Sequence, residues 1–309
     1  MGRRVTALRV VKGGLLSTVQ DLGRGGYQSV GVSVAGPMDW YSHRLATRLV
    51  GNDERAAAIE VTLIGPELVA DGDVLCAIAG AEFDVGVDGV PAPAHQPFAV
   101  RRGQRITFGE RSSGARATLA VRGGIDVPAT LGSRATHLVS HMGPFNGRAL
   151  QAGDLLPIGT AWGPLRFCGA DPLTPVRGTA TLRVIEGPHR ARFGDAAWDA
   201  LCGAAFRVSP DSNRMGYRLE GPPLTQLRGA DILSEATAVG ALQVPASGQP
   251  ILLMADRQTT GGYTIIATVI TADLPIAGQL APGDAVRFAP CSREQAIAAL
   301  ADRESALRK

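Results

Sequence analysis

Between Ile251 and Tyr263 the sequence reads ILLMADRQTTGGY. Asp256, Arg257, Gln258, Thr259 and Thr260 set a carboxylate, a guanidinium, an amide and two hydroxyls in consecutive positions, followed by Gly261, Gly262 and the phenol of Tyr263. Groups of this kind orient a polar small molecule by hydrogen bonds, and paired glycines let it approach the backbone. Side chains at adjacent extended positions point to opposite faces, so of Asp256 and Arg257 one bridges within the protein and the other faces a ligand. The competing reading is a hairpin with a polar turn. A turn needs two to four polar residues; this block carries more, which favours a site.

Other candidates lie in the same half of the chain. Arg214 and Tyr217 follow the strand pattern Phe206-Arg207-Val208. Glu220 and Glu235 each fall in an apolar, strand-like context, where a carboxylate is either paired with an arginine or poised by burial for acid–base work. Gln243 and Gln249 are amides in strand or turn context, equally suited to binding a ligand or filling internal hydrogen bonds. No nucleophile–base pair is identifiable, because a serine–histidine arrangement there would have to use His189 or a histidine from the first half.

The first half offers weaker signals. Thr18 to Gln28 (TVQDLGRGGYQ) is a glycine-rich loop, but no Gly-x-Gly-x-x-Gly leads from a strand into a helix, so a ligand loop and a plain surface loop stay open. Gly123 to Arg134 is a second polar, glycine-rich segment. His137 and His141 are spaced i, i+4 without a third ligand nearby, which makes zinc a poor expectation. Lys12 and Lys309 are the only lysines. This excludes a Walker-type phosphate loop, a biotin-attachment lysine between methionines, and most Schiff-base chemistry.

The elements that must carry these groups are strands. The alternation Ala58–Ile64, then Val74–Ala79, Phe83–Val87, Phe98–Val100, Ile106–Phe108 and Ala117–Val121, has the short spacing of an antiparallel barrel or sandwich. The same holds for Thr181–Ile185, Phe206–Val208, Tyr217–Glu220, Ile232–Glu235, Ala241–Val244, Ile251–Ala255, Thr264–Ile270 and Ala285–Ala289. Residues 5–19 form an opening strand with a Gly13-Gly14 turn. Helices are few: one entered at Pro37 or Asp39 and ended by Gly51-Asn52, a short one over Glu54–Ala58, one over 191–201, and a tail helix over 292–307 capped by Ser292. Val61-Thr62-Leu63-Ile64-Gly65-Pro66-Glu67-Leu68 resembles Tyr217-Arg218-Leu219-Glu220-Gly221-Pro222-Pro223-Leu224, a faint internal repeat.

With 309 residues, two domains of roughly 150 residues are the default. Pro164 to Gly178 is the expected boundary. This gives an N-terminal domain over 1–170, a C-terminal domain over 178–290 and a helical tail over 291–309. The formal charge of +3 is spread without an aromatic-interleaved basic stripe, which argues against nucleic acid. Cys76, Cys168, Cys202 and Cys291 form no C-x-x-C pair and read as reduced, buried thiols. No stretch approaches the length of a membrane span. The expected location is cytoplasmic.

Several longer segments, among them AGPMDWYSHRLATRLVGN, AVRGGIDVPATLGSRATH, DSNRMGYRLEGPPL and GALQVPASGQPILLMADRQTTGGY, resemble one family over residues 5–289. It comprises allophanate hydrolase subunit 2, KipA, the C-type subunit of 5-oxoprolinase and the carboxyltransferase domain of urea carboxylase. The resemblance implies a mainly β protein of two cyclophilin-like β-barrel domains with a few short helices. It implies a KipI-like B-type subunit as partner, while an A-type subunit completes an ATP-dependent opening of 5-oxo-L-proline to L-glutamate. The alternatives are a biotin-dependent carboxyltransferase or allophanate hydrolase-type component for urea-like substrates, with biotin on a separate carrier, or a regulator that binds a KipI-like protein. The chain's size, with no biotin domain or biotin carboxylase, favours the first over the second. By resemblance Asp256, Tyr263 and Glu235 are catalytic candidates. Arg214, Tyr217, Gln243, Arg257, Gln258, Thr259, Thr260, Gly261 and Gly262 are substrate-binding candidates. Ala236-Thr237-Ala238 and His141-Met142-Gly143-Pro144 depart from the family pattern.

Overall fold

The computed structural model describes residues 6–161, 171–174 and 176–308. Cys168 and most of the expected boundary at 164–178 lie outside them. Contacts divide the chain into two compact units. The first takes the chain up to Arg24, then Ala35 to Pro175, and the last residues from Ala306; the second takes Gly25–Val34 and Val176–Ser305.

The first unit is built on β1 (Ala7–Lys12), β2 (Leu16–Gln20), β3 (Ala58–Thr62), β4 (Glu67–Ala70), β5 (Val74–Val87), β6 (Val90–Pro91), β7 (Phe98–Val100), β8 (Arg105–Val121) and β9 (Leu155–Pro157). They pair in the order β2-β3-β8-β4-β1-β9, with β5 on β8 and with β6 and β7 on β5. The sheet curls around a core that includes Leu8, Val19, Ile59, Leu68, Ile106 and Leu119. Its other face carries Ala58, Ala77, Ala79 and Ala120, small side chains against which helix α1 (Trp40–Leu49) packs Tyr41, Leu45 and Leu49. Asp39 caps this helix by accepting from the Ser42 N–H at 2.8 Å and the Ser42 hydroxyl at 2.6 Å, which satisfies a donor the first turn leaves open.

The sequence expectations need three corrections here. Glu54–Ala58 is not a helix: Asp53 accepts from the Arg55 N–H at 2.8 Å and holds a turn, and β3 begins at Ala58. Of the five short strands read between Val74 and Val121, Phe98–Val100 is β7 and the other four belong to two long ones, β5 and β8, whose pairing shifts register between Gly80 and Val85. Those bulges mimic strand ends in a local pattern. The opening stretch is two strands, β1 and β2, on either side of Gly13-Gly14.

The second unit holds β10 (Thr179–Glu186), β11 (Ala205–Val208), β12 (Gly216–Glu220), β13 (Asp231–Ala236), β14 (Ala241–Val244), β15 (Ile251–Leu253), β16 (Thr260–Val269) and β17 (Ala285–Pro290). The path β10-β17-β11-β12-β15-β14-β16 returns from β16 to β10 and closes a seven-stranded barrel; β13 adds to β16 from outside that ring. Inward residues such as Leu182, Phe206, Leu219, Leu242, Leu252 and Phe288 are buried. Closure removes the open edges a sheet would otherwise present. The helix Asp195–Gly203 packs on β17. In the helix Arg293–Arg308, Ser292 and Gln295 form a reciprocal capping box, at 3.2 Å and 2.8 Å.

The faint repeat has a structural counterpart in each unit. A Cβ on Gly65 would meet the Phe108 side chain at 2.3 Å, and one on Gly221 would meet the Phe206 ring at 2.4 Å. In both places a Gly-Pro turn follows a strand and lies flat on a phenylalanine, so the glycine is required by close approach. Among the described residues no helix is long and apolar enough to cross a membrane.

Candidate active site

The polar stretch is not a hairpin turn. β14 stands between β15 and β16: Leu242 pairs with Leu252 on one side and with Ala267 on the other. Residues 254–259 therefore cross over the end of β14, and Thr260 to Tyr263 are already part of β16. The crossover is held by backbone bonds from the Met254 N–H to Met215 O and from the Asp256 N–H to Arg214 O, both 2.9 Å. A further bond, from the Thr237 N–H to Thr259 O at 3.0 Å, ties it to the loop after β13.

Asp256 and Arg257 do not sit on a pleated strand as expected: they lie in a turn closed by the Arg257 N–H on Met254 O at 3.2 Å, and their side chains have different partners. Both carboxylate oxygens of Asp256 accept from Arg214, Nε to Oδ2 and Nη2 to Oδ1, each at 2.9 Å. The two side chains are only 3% and 1% exposed. A bidentate pair out of water fixes the crossover against β12 and leaves the Asp256 oxygens engaged within the chain. Tyr217, paired in register with Leu252, is buried in the barrel wall.

Arg257 has different partners. Its Nε donates to Thr237 O at 3.4 Å, and its own carbonyl accepts from the Ser33 hydroxyl at 2.9 Å. The residue is 9% exposed, and burial pulls its pKa below the ordinary guanidinium value. Beside it the Gln258 amide donates to the Gln243 carbonyl oxygen at 3.2 Å. The Thr237 hydroxyl donates a short bond to the Gln258 backbone carbonyl. Gly261 makes this cluster possible: a Cβ there would lie 2.4 Å from Gln243 Nε2, 3.1 Å from Thr237 Cγ2 and 3.3 Å from Gln258 Nε2. At Gly262 a Cβ would meet Ile232 O at 3.4 Å, an ordinary contact.

β13 runs along the polar half of β16, with Glu235 opposite Gly261 and Asp231 opposite Tyr263. The Glu235 carboxylate, 40% exposed, lies 3.7 Å from His189 Nε2. The Ile265 N–H donates to His189 Nδ1 at 3.2 Å, so Nδ1 is the acceptor and the neutral ring carries its proton on Nε2, toward Glu235. Tyr263 is 41% exposed, and Thr260 is exposed.

The structure thus gathers Gln243, Arg257, Gln258 and Gly261 into one cluster. Glu235 and Tyr263 lie on the adjoining ladder, and Arg214, Asp256 and Tyr217 form the wall behind. Glu220 is exposed on β12, contrary to its apolar context; Gln249 bonds the Gly221 backbone on both sides, at 2.9 Å and 3.0 Å. Sequence reasoning missed Thr237 and Ser33 as partners of Arg257, and His189 as partner of Glu235. His189 carries one sequence signal, being the last histidine of the chain.

Asp21 accepts from the Gly23 N–H, the Ser133 hydroxyl and the Arg134 N–H at 2.9, 2.5 and 2.5 Å, joining the two glycine-rich segments. His137 Nδ1 is 2.6 Å from the Ser140 hydroxyl, in a turn. Among the described residues no group of three or more His, Cys, Asp or Glu side chains could hold a metal. The Cys76 thiol is buried and pushed up to about 12, which makes it inert.

The second unit is thus a closed β-barrel with amides and a guanidinium beside one end of β16 and a phenol on that strand. Residues 30–290 match the family described as carboxyltransferase domain, subdomain A and B, and the chain belongs to that family. It is 37% identical to the 5-oxoprolinase C subunit of Escherichia coli, over 96% of this chain and 95% of that protein. It is 36% identical to urea amidolyase of Saccharomyces cerevisiae, over 94% of this chain and 17% of that protein. The crystal structure of Kluyveromyces lactis urea amidolyase superposes with a TM-score of 0.94 at 31% identity, over 99% of this chain and 20% of that one. The named relatives are enzymes or enzyme subunits, and the chain spans about a fifth of the urea amidolyases it matches.

Proposed function

We propose that the chain is the C-type subunit of an ATP-dependent 5-oxoprolinase. It would act with a KipI-like B-type subunit, and with an A-type one, to open 5-oxo-L-proline to L-glutamate. The observation that carries this reading is the match over 95% of the length of the Escherichia coli 5-oxoprolinase C subunit. The reaction adds water across a lactam. The ring C–N bond breaks, the carbonyl carbon gains the hydroxyl and the nitrogen gains the proton, while a second water is consumed as ATP becomes ADP and phosphate.

A lactam carbonyl is stabilised by resonance, so its activation asks for donors aimed at its oxygen and for a group that moves a proton. In this reading the Gln243–Gln258 amide pair and the Tyr263 hydroxyl receive the amide-like group. Glu235 handles the proton, with His189 holding its Nε2–H beside it. Asp256 is a positioning residue, acting through Arg214 on the crossover that carries Arg257 and Gln258. The site residues fit a small amide better than a triphosphate. Among the described residues of this unit no glycine-rich loop opens a helix of the length a phosphate cradle uses. The nucleotide is therefore assigned to a site shared with, or supplied by, the partner.

Mixing the chain with its B-type and A-type partners and measuring ATP-dependent glutamate release from 5-oxoproline tests the reading. No turnover with all three present would sink it. Dependence on a biotinylated carrier and bicarbonate would favour the carboxyltransferase alternative, which the urea amidolyase relatives keep in view.

A further inference from the structure

Two largely buried arginines of the second unit lie near the polar crossover, and the chain treats them differently. Arg214 is given the Asp256 carboxylate in a two-bond fork. Arg257, nine-tenths buried, is given none: among the described residues no carboxylate oxygen lies within 4 Å of its nitrogens. Its Nε donates to the Thr237 carbonyl at 3.4 Å, while its two terminal nitrogens have no hydrogen-bond partner among the described residues.

A buried cation without a counter-charge is unfavourable, and removing it from water is repaid only when an anion arrives in good geometry. A guanidinium edge with two free N–H groups matches the two oxygens of a carboxylate. The neighbouring groups are neutral donors and acceptors, the Gln243–Gln258 amides and the Thr237 hydroxyl, packed closely over Gly261. Such an arrangement separates two recognition tasks, one for a charge and one for an amide or carbonyl.

We propose that the open end of Arg257 is a carboxylate-binding subsite, and that the substrate of this unit carries a carboxylate as well as the carbonyl met by the Gln243–Gln258 pair. The proposal rests on the reading of the site given above and narrows it. A lactam acid supplies both groups, whereas urea supplies only the carbonyl. Arg257 then determines specificity and takes no part in the chemical step.

Titration calorimetry of the full chain, alone and in complex with its KipI-like partner, tests this with 5-oxo-L-proline, its carboxamide and ATP as probes. The acid is expected to bind about 10- to 100-fold more tightly than the amide, the range a charge-assisted pair supports. Arg257→Ala should abolish that preference. Arg257→Lys, which keeps the charge but not the fork, should retain part of it; this variant serves if the alanine form does not fold. Equal binding of acid and amide, binding of neither, a preference that survives Arg257→Ala, or ATP alone responding to the substitution would each overturn the subsite. Acid-selective binding that depends on Arg257, with no glutamate release by the reconstituted complex, would remove the 5-oxoprolinase reading and leave the subsite standing. Glutamate release whose KM for the acid is unmoved by Arg257→Ala would remove the subsite alone.

Discussion

The guanidinium of Arg214 meets the carboxylate of Asp256 through two 2.9 Å bonds inside the second unit, with both side chains almost wholly out of water. The pair lies 42 residues apart in sequence and closes the backbone step from β12 to the crossover at 254–259.

Removing one partner strands a buried charge. Asp256→Ala and Arg214→Ala should each destabilise the chain by about 3–5 kcal/mol, and Arg214→Met with Asp256→Leu by less than either alone. Denaturant unfolding checks this. If Asp256→Ala unfolds at the wild-type midpoint but loses turnover, Asp256 acts in the chemistry directly and the positioning role is wrong.

Gly261 is constrained by space, since its φ is not in the left-handed region. Gly261→Ala puts a methyl group 2.4 Å from the Gln243 amide nitrogen and forces the Gln243–Gln258 pair apart. A stability loss of about 1–3 kcal/mol is expected, with a large rise in KM. Gly262→Ala, whose added carbon meets only ordinary contacts, should change both far less. Equal effects at the two glycines would show that the amide pair is not what Gly261 protects.

His43 gives the fold a pH dependence of known sign. On α1 in the first unit it is buried, and burial lowers its pKa from 6.5 to about 4, a shift that the nearby Asp21 charge only partly opposes. The folded chain keeps this ring neutral where the unfolded chain protonates it. Stability is therefore unaffected above about pH 6.5, falls as pH drops through 6.5, and levels off below the folded value. The total is about 3 kcal/mol. Urea midpoints between pH 7 and pH 4 should show this slope in the wild type and lose it in His43→Gln.

Much of the barrel could be read from alternation, because Thr181–Ile185, Tyr217–Glu220 and Ala285–Ala289 each bury one face and expose the other. The order of pairing could not. Nothing local to Ile251–Tyr263 says that Ala241–Val244 will insert between its two strands, since that choice is made by distant partners closing the ring. The site divides the same way. The block from Asp256 to Tyr263 stands out by density of polar groups, but where a pleat was expected at Asp256 and Arg257 the chain makes a turn closed by the Arg257 N–H on Met254 O. Which arginine would neutralise Asp256, and that Thr237 would anchor Arg257, depend on contacts across 42 and 20 residues. Glu220 misled because an apolar neighbourhood in sequence becomes an outward position once β12 takes its register between β11 and β15.

Tyr263 separates a chemical role from a structural one. It is 41% exposed on β16, opposite Asp231, so its hydroxyl contributes little to the fold. Tyr263→Phe keeps the ring and removes only the donor; the unfolding midpoint should stay within about 0.5 kcal/mol of wild type. If the hydroxyl donates to the developing oxyanion of a lactam, kcat in the reconstituted complex should fall about 10²-fold with KM little changed, because an interaction made mainly in the transition state is lost. Glu235→Gln should likewise lower kcat without unfolding the chain. A Tyr263→Phe enzyme with wild-type kcat would place the phenol outside the reaction and leave the Gln243–Gln258 amides as the donors to the carbonyl.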